Sequence, residues 1–538
     1  MDKSTFKELP IKEDKPHPIK SHENSVKYHL EQYLMPFVSE VVFHKLMPCG
    51  SQTGKLYGMC KVHKEGFPLR PVTSMNGSAE YDLAKYLDGL IKPHIPATFM
   101  VSSTNQFLDK LKDIFIGPTD KLVSFDVVSL FTNVPLKETI NIIASYLYPE
   151  SGESSMPFPK KSFLKLMNKA TGGFFMHQDR FYTQTDGVAM GNPLGPTLAN
   201  FFLAHLETKK LNNFPGSKPK LYLRYVDDIF AVFEDASHIE PFFAFLNQLH
   251  KNLAFTTELG TKTLPFLNVE VEVNANNFNT WVYRKKTHTG VLLNFSAIVP
   301  SSWKNGIIMC LLHQAQTICS SDFYFKTEVS KLKEMFFQNG YTKAFFDKTY
   351  QRFLDKQSND IIPTADEDTE VVKTVNLSIP YLGEASNKFA KQMISLFKST
   401  YNVKLLPVFT STKVGDYFSL KTATPFPYRS NVVYQFQCLR DAGCSYVGQS
   451  SRHLITRVNE HLSLHKPNER NQSEIKKHVY KCPICHKQFL DINNFKILKK
   501  CQTTFELVIH EALSIKRLRP KLNKQLMKGG ASYLLKVF

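Results

Sequence analysis

Apolar and polar positions alternate along the first half of the chain in two different periods. Leu56–Lys64 and Pro68–Ser74 carry the β-branched and apolar alternation of strands, and Gly66 and Pro68 lie between them, so a hairpin is predicted there. Apolar residues recur at helical spacing over Tyr81–Leu90, Thr104–Ile114, Leu136–Tyr148 and Lys160–Ala170, and a helix is predicted at Ile239–Lys251. A strand is predicted around Asp126 and a hairpin around Asp227-Asp228, with further strands near Phe255–Glu258 and Phe266–Val273. Asp186–Pro196 is a glycine- and proline-rich loop that feeds an apolar helix, Thr197–Leu206. This order predicts an antiparallel sheet backed by helices, an α+β fold.

The rest divides by pattern. Residues 1–40, rich in Lys, His and Pro, are expected to be a loose lead-in. Residues 41–275 form the main domain and 276–354 a mostly helical region with interspersed basic residues. Residues 355–429 are expected to be a linker and connecting segment: Asp355–Thr374 is acidic and lacks aromatics, and Ile379–Lys398 is helical in part. A last domain is expected over 430–530. No internal repeat is visible.

Composition narrows the function classes. The 538 residues are 42% hydrophobic and 12% aromatic, which excludes disorder throughout. No run of about eighteen apolar residues suggests a membrane span, and the N-terminus lacks an apolar signal region. An intracellular protein is expected. The net charge of +19 points to a polyanionic partner, because Lys and Arg displace counterions from phosphates. Five of the nine cysteines fall in the last quarter, a clustering that in an intracellular protein points to metal rather than disulfides.

The chemistry centres on acids set among strand-forming residues. Asp227 and Asp228 lie in Leu223–Phe230, and Asp126 lies in Ser124–Phe131. Unpaired charge is costly in such settings, and a divalent cation, Mg²⁺ or Mn²⁺, relieves it. Carboxylates gathered from neighbouring strands can hold the two ions of in-line phosphoryl transfer. A plain hairpin turn is the competing reading of Asp227-Asp228. Arg70 and Lys61 suit phosphate binding or a solvated hairpin surface. Phe131, five residues beyond Asp126, can either block a ribose 2′ hydroxyl or pack in the core. The Gly187–Pro196 loop lets backbone approach a base pair closely, or simply starts a helix.

Phe125–Pro135, Gly187–Pro196 and Arg224–Phe230 together resemble reverse transcriptase motifs A, B and C in the form found in Penelope-like retroelements. Leu264–Val269 and Tyr283–Thr289 resemble that family's later blocks. The resemblance implies a right hand of fingers, palm and thumb related to telomerase. It implies Asp126, Asp227 and Asp228 as catalytic carboxylates, Arg70 as a nucleotide contact and Phe131 as a sugar gate. Lys262, near motif D, is a candidate acid for the leaving pyrophosphate. Met190 stands where many other reverse transcriptases have Gln, a difference this family shares. Family members usually carry a longer region ahead of the fingers, so a truncated copy is also an open reading.

The C-terminal quarter resembles a GIY-YIG endonuclease, a small α/β module that Penelope-like elements carry after the polymerase. Val432-Val433-Tyr434 and Tyr446-Val447-Gly448 stand for the name-giving triplets, followed by Arg457, His461, Glu511 and Asn523. The resemblance implies Tyr434, Tyr446, Arg457, His461, Glu511 and Asn523 as site residues, with Glu511 holding a cation. The competing readings are a core ring for Tyr446 and a helix-surface residue for His461. Cys438, Cys444, His478 and His486 are the expected Zn²⁺ ligands, with Cys482 or Cys485 able to replace one; buried reduced thiols are the alternative.

The function expected is that of a retroelement RNA-directed DNA polymerase that nicks DNA and extends the 3′ end on an RNA template. Its partners would be an RNA template, a DNA primer, target DNA and dNTPs, with no membrane and a nuclear location. A catalytically inactive or truncated nucleic-acid-binding descendant is the alternative. The sequence leaves oligomeric state and target site open.

Overall fold

The computed structural model describes residues 6–11, 16–62, 65–117, 119–150, 152–274, 277–358, 374–401, 404–418, 422–441, 444–462, 473–487 and 491–523. At its centre is a four-stranded antiparallel sheet ordered Leu221–Tyr225, Asp228–Phe233, Lys121–Val127, Phe255–Leu259. Strand alternation gives this sheet two buried faces. Val123, Phe125, Val127, Ile229, Ala231 and Phe233 pack on one side against the helices Tyr81–Ile91, Leu136–Leu147 and Gly195–Lys210. Leu122, Phe230 and Val232 join a second core on the other side, with Ile308, Leu312 and Phe336 of the helices Ser301–Ile318 and Asp322–Gln338. The antiparallel α+β sheet expected from the pattern is therefore present, and the predicted acids lie where the alternation reaches the strand ends.

A five-stranded sheet carries the predicted hairpin, Gly54–Cys60 with Leu69–Ser74. The expected loose lead-in is ordered in part: Phe6–Leu9 adds an edge strand to this sheet, and Pro18–Tyr33 is a helix. Ile19, Val26, Leu30 and the adjoining Leu34 are buried there. Their apolar face is diluted by intervening Lys, His and Glu, which hides it from a compositional reading. The single strand expected over Phe266–Val273 is a hairpin instead, Thr263–Phe266 with Val269–Asn274. Leu267 and Asn268 both have positive φ (48° and 65°), the backbone of a two-residue hairpin turn.

Residues 374–410 form a strand–helix–strand unit, Thr374–Pro380, Glu384–Tyr401 and Lys404–Thr410, with the two strands parallel. The expected acidic linker lies mostly outside the described residues. Three antiparallel strands follow, ordered Ser445–Ser450, Val432–Gln437, Phe495–Lys500, with helices Leu454–Leu462 and Thr504–Leu518. Among the described residues no helix is long and apolar enough to cross a membrane.

Candidate active sites and metal centre

Asp126 stands one residue from the end of its strand, and Asp227 in the two-residue turn that joins Leu221–Tyr225 to Asp228–Phe233. Asp126 pairs directly with Asp228 across the sheet, and Val127 N donates to Asp227 O at 3.1 Å. The fold thus brings all three predicted carboxylates to one end of the sheet. Asp126 and Asp228 are exposed and Asp227 is half-buried. Loss of solvent, then the charges of Asp227 and Asp126, push the Asp228 carboxyl up to about 6, while Lys285 pulls it down. Crowded like charge of this kind is what a hard divalent cation neutralises, so the three carboxylates are of the donor type that Mg²⁺ or Mn²⁺ takes, although their oxygens do not all lie within 4.8 Å of one another. Lys285 lies in the Tyr283–Thr289 block, but its nearness to the carboxylates was not legible in the sequence, because it depends on a distant segment folding back towards them.

Phe131 lies in the short helix Leu130–Asn133, and its carbonyl accepts from Val188 N at 2.7 Å. It faces the glycine-rich loop: a Cβ on Gly195 would lie 3.8 Å from the Phe131 ring. The loop has no room for side chains at two points. A Cβ on Gly187 (φ +74°) would meet Thr132 O at 2.5 Å, and one on Gly191 (φ +121°) would meet Thr73 O at 2.1 Å. Thr73 N also donates to Met190 O at 2.8 Å, tying the finger hairpin to this loop. Arg70 is exposed on that hairpin opposite Met59, and Lys61 closes its turn through an N–H bond to Pro68 O.

Lys262 is a correction. Gly260 N bonds to Leu122 O, four positions along the strand from Asp126 and roughly 13 Å away at strand rise. Lys262 lies beyond that point and pairs with Glu272 at 3.1 Å. It belongs to the opposite end of the sheet from the carboxylates.

In the C-terminal module Tyr434 is buried on the central strand, and its hydroxyl meets His461 Nε2 at 2.7 Å and Arg457 Nε at 3.3 Å. His461 Nδ1 contacts Ser473 Oγ at 2.5 Å. Burial, reinforced by the Arg457 charge, drives the His461 imidazole down to about 3, so it is neutral at ordinary pH. Burial pushes the Tyr446 hydroxyl up, with the Glu511 charge adding to it. Burial also pushes the Glu511 carboxyl up to about 7, against the pull of Arg457 and a backbone bond from Gln449. The six-residue set therefore converges except for Asn523. Ser473 was missed; its only sequence signal is its place as the N-cap of the helix Glu474–Lys481.

Asn523 is a second correction. Its Oδ1 accepts from Val447 N at 2.8 Å and its Nδ2 donates to Val447 O at 2.7 Å. The buried amide acts as a short surrogate strand against Ser445–Ser450, a structural use that accounts for its position.

Cys438, His478, Cys482 and Cys485 have ligand atoms all within 4.8 Å of one another, and among the described residues no other group of three or more does so. Cys438 Sγ lies 3.9 Å from Cys482 Sγ and 3.6 Å from Cys485 Sγ. Tetrahedral zinc with sulfur at its usual bond length needs about 3.8 Å between sulfurs, so the set fits. Cys444 Sγ is 3.6 Å from His478 Nδ1, at the edge of this group. Of the expected ligands, Cys438 and His478 are in the cluster. Cys482 and Cys485 complete it because a helix turn at Pro483–Lys487 brings the pair back together. The His486 side chain lies outside the described residues.

Residues 70–262 match the family model described as reverse transcriptase (RNA-dependent DNA polymerase). Residues 291–351 match one described as an animal helix-turn-helix domain. No curated protein matches the chain. Among solved structures, a Candida albicans telomerase in complex with a fragment of telomeric RNA is similar at 12% identity and TM-score 0.41, covering 62% of each chain. A truncated Candida tropicalis telomerase is similar at 13% identity and TM-score 0.32, over 42% of this chain and 54% of that one. The RNA-dependent RNA polymerase of Sicinivirus is similar at 11% identity and TM-score 0.38, over 66% and 74%. The chain spans 54% to 62% of the length of the first telomerases it matches. The palm with its three carboxylates, between fingers and a helical region, is thus that of a chain containing a reverse transcriptase domain.

Proposed function

We propose that this protein is an RNA-directed DNA polymerase of the Penelope-like type that primes its own synthesis by nicking DNA. The observation that carries the polymerase reading is the pairing of Asp126 with Asp228 beside the Asp227 turn, inside the matched reverse transcriptase segment. Asp126 and Asp227 would hold two Mg²⁺ ions, and Asp228 would support them. When bound, the ions activate the primer hydroxyl and neutralise the leaving pyrophosphate. Phe131, pressed against the Gly187–Gly195 loop, would exclude a ribose 2′ hydroxyl. Arg70, with Lys61, would take the nucleotide phosphates from the finger side.

The nicking reading rests on the convergence of Tyr434, Arg457 and His461, with Tyr446 and Glu511 coupled to them electrostatically. Glu511 would hold one divalent cation that polarises the phosphodiester. Arg457 would take the charge that develops on phosphate. Neutral His461, hydrogen-bonded to the Tyr434 hydroxyl, would hold that oxygen in place beside the attacking water. The Cys438, His478, Cys482 and Cys485 set would hold structural zinc, which braces the module. A role on chromosomal DNA would require a nuclear location.

Primer extension on RNA and DNA templates with Mg²⁺ tests the polymerase reading. Asp227→Asn is expected to abolish extension while the protein stays folded by circular dichroism. Retained extension would remove Asp227 from metal catalysis.

A further inference from the structure

Among the described residues the largest fully buried side chain is that of Arg224, two residues before Val226 in the turn that carries Asp227. It is 0% exposed, and its partner Glu207, on the helix Gly195–Lys210, is 3% exposed. Arg224 Nε meets Glu207 Oε1 at 2.6 Å and Nη2 meets Oε2 at 2.9 Å, a bidentate pair. Tyr222 OH donates to the same carboxylate at 3.0 Å. Nη1 is divided between Asn200 Oδ1 at 2.9 Å and the carbonyl of Val226 at 3.0 Å. The Arg224 backbone is pinned as well, with N donating to Phe99 O and O accepting from Val101 N.

A buried ion pair is a poor source of stability, because desolvation offsets most of its attraction. What this one holds is more informative. Val226 has φ +56°, a left-handed conformation that a β-branched residue adopts only when its surroundings impose it. Its carbonyl is the fourth acceptor of the guanidinium. The next residue is Asp227.

We propose that Arg224, seated on Glu207 and Asn200, is a positioning residue that fixes the Val226–Asp227 turn and so sets the placement of Asp227 against Asp126. Arg224 is fully buried and bonded to protein groups, so it acts through the turn rather than on metal or substrate. It connects the helix behind the glycine-rich loop to the carboxylate turn, so the surface that meets the nucleotide and the metal-bearing tip move as one body. The inference rests on the polymerase reading above.

The test is a Mg²⁺ titration of primer extension by the full chain, with active enzyme counted by burst amplitude. Arg224→Lys keeps the charge but cannot span both Glu207 oxygens, Asn200 and Val226 together. Its half-saturating Mg²⁺ is expected to rise about tenfold or more, as when a group that orients a metal ligand is lost. The burst rate should fall by about tenfold to a hundredfold, with primer-template affinity unchanged. Asn200→Ala keeps the ion pair and should shift the Mg²⁺ midpoint in the same direction by a smaller factor, which carries the test if Arg224→Lys does not fold. A lower burst amplitude with wild-type Mg²⁺ midpoint and burst rate, in either folded variant, would overturn the proposal. A wild-type protein that extends no primer with Mg²⁺ or Mn²⁺ counts against the polymerase reading itself. An active wild type with unaltered variants counts against the Arg224 role alone.

Discussion

Replacing Asn523 separates scaffold from chemistry in the C-terminal module. Its side-chain amide makes both a donor and an acceptor bond to the Val447 backbone, at 2.7 and 2.8 Å, and Asn523 is 5% exposed. Asn523→Leu fills similar space but leaves the Val447 N–H and C=O without these partners. Each buried backbone group stranded in this way costs about 1–3 kcal/mol, so the pair should cost about 2–6 kcal/mol. The loss falls on the strand Ser445–Ser450, which carries Tyr446 and lies beside Tyr434 through the Tyr434–Gly448 pairing. Hydrogen exchange is the direct assay. Protection of a peptide spanning Ser445–Ser450 should fall by about a factor of thirty or more, the exchange equivalent of the lower cost. Palm peptides such as Lys121–Val127 should be unchanged, since additivity holds between distant sites. Unaltered exchange at Val447 together with lost nicking would refute the reasoning and return Asn523 to the chemistry.

Three other outcomes are expected. Phe131→Ala should relax sugar selection, measured as the ratio of ribo- to deoxynucleotide incorporation; an unchanged ratio would leave Phe131 as core packing. Metal analysis of the purified protein should find one zinc per chain, and Cys482→Ser should lose it, whereas Cys49→Ser, at an exposed thiol, should keep it; a folded, zinc-free protein would end the structural-metal reading. Glu511, with its carboxyl raised to about 7 from an ordinary 4.5, binds protons more readily in the fold than in the unfolded chain. Its contribution to metal-free stability should therefore decline as pH rises from about 4.5 to about 7. Over the same window Mg²⁺-dependent nicking should increase, and Glu511→Gln should flatten both profiles.

Much of the palm was legible because its elements obey local rules. The helices Tyr81–Ile91 and Lys160–Thr171 follow the spacing of their own apolar residues, and their limits fall within a residue of the predicted ones. Helix Pro18–Tyr33 escaped because its buried face is carried by few apolar residues among Lys, His and Glu. The turn at Leu267-Asn268 escaped because neither residue advertises positive φ as glycine does. Strands Phe174–His177 and Phe495–Lys500 escaped because a strand at the edge of recognition gains its identity from its partner.

The sequence by itself determined which groups are available: three acids in strand contexts, a glycine- and proline-rich loop, and a late cluster of thiols and imidazoles. Those are properties of residue type and short spacing, which chemistry reads directly. The tertiary structure alone decided which of them meet. It joined Asp126 to Asp228 across a hundred residues, chose Cys482 and Cys485 from a surplus of ligands and sent Lys262 to the far end of the sheet. It also turned Asn523 into a strand clamp and buried Arg224 beneath the turn that carries Asp227. The reason is that strand register and the packing of both sheet faces are fixed by long-range contacts, and no local pattern encodes the partner across the sheet.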